Sequence, residues 1–203
     1  MKIEKSVRKA LEEFIKGDSE CAMLFTCISI DGTARKIYPK WGSNKRFTQF
    51  IRNNYDILSE LLLPGLDFEN IRWSVEVDNP KAPGGVDFAD IIYGVHRCCH
   101  AHGECLQDGF ELLPNYAQKN HKFTMEVKPG FVRFTDYIIL ALLAITVLEP
   151  VNKDLFNPLL NQYMLPIKNE KHVVNEWWGK REHIRSLLPK REKILFDFTD
   201  LRD

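Results

Sequence analysis

The stretch Tyr137–Leu148 (YIILALLAITVL) carries no charged residue. A helix this apolar has to be enclosed by other elements, so the rest of the chain must supply partners around it. About a dozen residues is short of the roughly 18–20 that a bilayer span needs. The run therefore predicts a buried core helix over residues 134–149, with Thr135 as its cap and Pro150 as its stop. No membrane partner is expected.

The rest of the sequence offers helices to pack around it. Residues 2–16 place Val7, Leu11, Phe14 and Ile15 on one side, and Gly17 ends that helix. Asp18 or Ser19 caps a second helix, which runs from 20 to 37 with Gly32 tolerated for close packing. A third starts at Ser43 or Asn44 and carries Phe47, Phe50, Ile51, Tyr55, Leu58 and Leu62 at helical spacing, until Pro64-Gly65 ends it. Residues 71–77 (IRWSVEV) alternate like a short strand, and 79–85 (NPKAPGG) form a loop. Residues 110–113 and 122–127 read as two strands of a small hairpin, with a turn at 128–130. Residues 155–165 are weakly helical and 166–171 read as a linker. Residues 173–188 and 191–198 complete a charged helical region. The fold class is mostly α, a helical bundle with a small β-hairpin insertion.

Charge narrows the function classes. The 28 basic residues balance 28 acidic ones, so there is no globally basic nucleic-acid footprint and any such binding must use a local patch. The N-terminus lacks the apolar core of a signal peptide. With five cysteines, this predicts a reduced, cytoplasmic protein without a disulfide framework.

The densest chemistry lies in residues 86–110, VDFADIIYGVHRCCHAHGECLQDGF. Phe88, Ile91, Val95, Cys98, His102 and Cys105 recur at spacings of three and four and fall on one helical stripe, with Gly103 as a helix stop. Arg97 and His102 are five apart, which an ideal α-helix sets about 140° apart. An imidazole with a guanidinium suits phosphodiester cleavage: the histidine moves a proton, and the arginine stabilises the phosphorane. From spacing alone, a solvated arginine beside a capped or buried histidine is the commoner arrangement.

The segment YGVHRCCHAHGE resembles the Arg-x4–6-His motif of the HEPN superfamily, through Tyr93, Gly94, Arg97, Ala101, His102 and Gly103. The flanks are similar too, with Ala34-Arg35 in an early helix and Pro150-Val151-Asn152 after the apolar one. The resemblance implies a HEPN-like helical domain over 1–152, followed by a C-terminal helical extension over 153–203. It implies a homodimeric, metal-independent endoribonuclease of toxin or defence type, with RNA as substrate and a protein antitoxin as a further partner. Arg97 and His102 would be the catalytic pair, with His96, Cys98 and His100 in supporting positions. No cofactor and no metal is expected. Active members often carry a polar residue after the arginine, where this chain has Cys98. A non-catalytic HEPN-like binding or dimerisation module is the alternative.

Two further readings come from the residues alone. Cys98, His102 and Cys105 share a face and could hold zinc in a small interaction module, although they supply three ligands where a closed site needs four. Cys98 or Cys99 beside His100 or His102 could act as a nucleophile, against the unfavourable field of a helix C-terminus. For RNA binding, Lys36, Lys45 and Arg46 stand out, in a basic cluster with Tyr38 and Trp41. A second cluster, Lys180 to Lys193, lies downstream of Trp177 and Trp178 and is diluted by Glu176, Glu182 and Glu192.

Overall fold

The computed structural model describes residues 2–97, 109–114, 123–167, 170–189 and 191–196. Helix α1 (Ile3–Lys16) buries Val7, Leu11 and Phe14 and ends at Gly17, whose φ of 83° is the left-handed conformation that glycine adopts most readily. Helix α2 (Ser19–Ile37) begins at Asp18, whose carboxylate accepts from the Cys21 amide. It packs along α1. A Cβ on Gly32 would lie 3.0 Å from Ile3 Cγ1, so the missing side chain is what lets the two helices come this close.

The third predicted helix is two. Helix α3 (Ser43–Arg52) stops at Asn53, and α4 (Tyr55–Leu62) restarts after Asn54. The Asn54 side-chain amide donates to the Phe50 carbonyl at 2.8 Å, competing with helix continuation. Residues 71–77 are not a strand; they make an isolated bridge between Trp73 and Val86, and the Ser74 carbonyl accepts from the Gly130 amide.

Helix α5 (Phe88–Ile91) continues as a π-helix over Ile92–Arg97. Strands β1 (Phe110–Leu113), β2 (Met125–Lys128) and β3 (Phe131–Thr135) form a sheet of order β1-β3-β2. β1 runs parallel to β3, and β2 antiparallel to it. The sequence reading missed β3 because its end, Phe134 and Thr135, merged with the apolar run. Helix α6 (Tyr137–Leu148) starts after Asp136 instead.

Of its twelve residues all but Tyr137 are buried. It packs against α2, α4, β3 and a strand β4 (Met164–Ile167). That strand pairs with β5 (Glu170–Val173), where a linker was expected. Among the described residues the C-terminal region is less helical than expected, with α7 (Arg181–Leu187) as its one α-helix. Leu160, Leu165, Val174, Trp178 and Ile184 join the same buried cluster as the N-terminal helices. Among the described residues the chain is thus mostly α with two small sheets, and no helix there is long and apolar enough to cross a membrane.

Candidate functional site

The densest part of the sequence starts on an ionic joint. Asp87 caps α5, accepting from the Asp90 amide at 2.9 Å. Arg52, at the end of α3, donates to Asp87 through Nε at 2.7 Å and Nη2 at 3.0 Å, and to Asp90 through Nη2 at 2.9 Å. Tyr55 adds its hydroxyl to Asp87 at 2.9 Å and accepts from the Ala89 amide at 3.0 Å. Asp90 also takes the Lys81 and Ala82 amides, which cinches the 79–85 loop against the helix.

The electrostatics follow from this bonding. Burial opposes charge on Asp87, but the Arg52 guanidinium holds its carboxyl below the usual carboxylate range. Burial likewise opposes charge on Arg52, and Asp87 overrides it and keeps the guanidinium firmly protonated. Tyr55 is pushed well above the ordinary phenol range by burial and then by the Asp87 charge. The joint is therefore ionised and fixed, a frame rather than a proton shuttle.

From this frame Phe88, Ile91 and Val95 turn into the core as expected, each fully buried. The helix then widens. Over Ile92–Arg97 it is π-helical, a rare geometry that occurs mostly as single turns and often at functional sites. Gly94 sits within it, where a Cβ would lie 3.1 Å from Val77 Cβ. Arg97 is its last residue, preceded by His96. Cys98, His100, His102 and Cys105 lie outside the described residues.

Of the cations expected to meet RNA, Arg46 is committed internally. Its Nε and Nη2 donate to Asp31 Oδ1 at 3.0 and 2.9 Å, and Nη1 donates to the Trp41 carbonyl. Lys36 is exposed and reaches Asn152 Oδ1 at 3.2 Å. Buried Asn152 in turn donates to Thr33 and to the Thr146 carbonyl, so two sequence flanks quoted above meet in space. Lys45 is exposed, with its ammonium 4.4 Å from the Trp41 ring centre, while Tyr38 stacks on that ring at 4.4 Å and 10°. From the second basic cluster, Arg185 is tied to the helix pair instead: its Nη2 donates to the Asn53 carbonyl at 2.7 Å, just after α3.

Sequence reasoning missed Arg52, Tyr55, Asp87 and Asp90 as a unit. Asp87, ahead of an apolar helix, carried a capping signal. Nothing local pairs it with an arginine 35 residues earlier.

A model of the Rv1289 family matches residues 2–202. Three mycobacterial relatives, the uncharacterized proteins Rv1289 and MT1327 of Mycobacterium tuberculosis and Mb1320 of Mycobacterium bovis, are each 31% identical over 202 residues. Each alignment covers 98% of this chain and 94% of the relative. No solved structure matches.

Proposed function

The chain belongs to the Rv1289 family, and from the chemistry gathered on its central helix we propose that it is a HEPN-like, metal-independent endoribonuclease. The supporting observation is the π-winding of Ile92–Arg97. A π-turn is a rare geometry found often at functional sites, and this one closes on Arg97, the first residue of the Arg-x4-His spacing.

In this reading His102 takes the proton from a ribose 2′-hydroxyl and then delivers one to the leaving 5′-oxygen. Arg97 stabilises the charge on the phosphorane between these steps. The products are a 2′,3′-cyclic phosphate and a free 5′-hydroxyl. The attacking group makes RNA the substrate. Lys36 and Lys45 would engage the phosphate backbone, a second copy of the chain would complete the enzyme, and a protein antitoxin would restrain it in a cytoplasmic setting.

A second reading, a non-catalytic binding module, draws support from the commitment of Arg46 to Asp31, which removes one of the expected RNA-facing cations. The deciding experiment is cleavage of total RNA in EDTA by the wild type, Arg97→Ala and His102→Ala, each checked for folding by circular dichroism. Cyclic-phosphate ends from the wild type, reduced at least a hundredfold in both variants, are expected. No cleavage, or equal cleavage by all three, rejects the nuclease in favour of the binding module.

A further inference from the structure

The cleft between the α3–α4 helices and the C-terminal segment has a volume of about 990 Å3, which falls in the range of small-molecule sites. Five cations line it and only four carboxylates. Four of the cations are paired: Arg52 with Asp87 and Asp90, Arg185 with Asp56 and Glu182, Arg191 with Glu60, and Lys193 with Glu69 and Asp67. Arg72 is left over.

Its guanidinium is held by backbone carbonyls alone. Nε donates to Pro83 at 2.9 Å, and Nη1 to Glu69 at 2.9 Å and Ile71 at 2.7 Å. No carboxylate among the described residues pairs with it. Carbonyls orient a guanidinium without cancelling its charge, and Nη2 keeps its two protons for another acceptor. The holder is itself rigid, because Pro83 belongs to the loop that Asp90 cinches and Asp90 is fixed by Arg52.

Lys193 meets Arg72 at a single residue. Arg72 takes the Glu69 carbonyl, and the Lys193 ammonium lies 3.2 Å from the Glu69 carboxylate. The same ammonium also lies 3.5 Å from Asp67, and because the Lys193 side chain is 58% exposed both contacts are weak enough to exchange for a more highly charged anion. The next residue, Ile194, is pinned by backbone bonds to Gly65 and Asp67, which keeps the ammonium at the cleft wall. A fixed fork with spare donors beside an exchangeable ammonium suits a multiply charged tetrahedral anion.

We infer that this cleft binds a phosphate-bearing small molecule, anchored by Arg72 and Lys193. The site stands apart from the RNA-cleavage reading and does not depend on it. Isothermal titration of the full chain with inorganic pyrophosphate, and separately with citrate, tests it. Saturable pyrophosphate binding is expected, weakened about tenfold or more in Arg72→Gln and in Lys193→Gln, and unchanged in Lys9→Gln on α1. Lys193→Gln alters an exposed side chain, so its result stands even if Arg72→Gln loses its fold. Three outcomes overturn the site: no saturable binding by the wild type, undiminished binding in the lysine variant, or citrate binding as tight as pyrophosphate.

Discussion

Two arginine–carboxylate joints tie distant parts of this chain together, and they behave in opposite ways. Arg52 meets Asp87 and Asp90 across 35 and 38 residues. Arg181 meets Glu149 across 32 residues at 2.5 Å, clamping the C-terminal helix to the end of the core helix. Asp87 lies below the usual carboxylate range, while burial pushes Glu149 above it despite Arg181. Asp87 collects two bonds from Arg52, one from Tyr55 and one from the Asp90 amide. Glu149 has one bond from Arg181 and one from the Val151 amide. What separates the two carboxylates is how fully the arginine engages: Arg52 grips Asp87 with two bonds, which Tyr55 and the Asp90 amide reinforce, whereas the single bond from Arg181 does not offset the burial of Glu149.

The largest test of this contrast removes the shared cation. Arg52→Ala leaves two buried carboxylates without their partner and is expected to cost about 3–5 kcal/mol, read from the urea midpoint at unchanged slope. Tyr55→Phe removes one donor from Asp87 and orphans the Ala89 amide. About 1–3 kcal/mol is expected, and a loss under a few tenths would mean that the hydroxyl does not support the joint.

The smallest effect is the most diagnostic. Arg181→Ala is expected to cost about 1 kcal/mol at neutral pH and progressively less as pH falls below about 4, where Glu149 becomes protonated in both the folded and the unfolded chain. The sign reverses at the other joint. Asp87 has a depressed folded value, so its contribution is full above about pH 4 and disappears as pH falls through that lower value. Glu149 has a raised folded value, so wild-type stability falls as pH climbs from about 4 through it. Urea midpoints across pH 2–7 for wild type and Arg181→Ala separate the two slopes.

Neither joint was legible in the sequence, because each links residues more than thirty positions apart and no periodicity reports such pairing. Local signals fared better. Gly17 and Asp18 mark a real helix junction, Gly32 a real close approach, and Pro150 the real end of the core helix. The failures came where two tendencies competed. The apolar period of 47–62 hid the break at Asn53-Asn54, since burial on one face persists across the bend. Strand β3 was hidden by its apolar neighbour, and β4 by Pro166, which sits within a two-stranded ribbon with β5. Of the candidate site, the stripe Phe88, Ile91 and Val95 was readable. The π-turn after it was not, because helical periodicity does not distinguish i+4 from i+5 bonding over so short a stretch.

The enclosed helix Tyr137–Leu148 has one more consequence. Because α2, α4, β3 and β4 all rest on it, no layer can swing away without wetting an element that has no polar side to offer water. The first and last thirds of the chain share that single axle. Their opening is therefore cooperative: partial detachment of either third carries nearly the cost of losing both, and the protein has little middle ground between closed and unfolded.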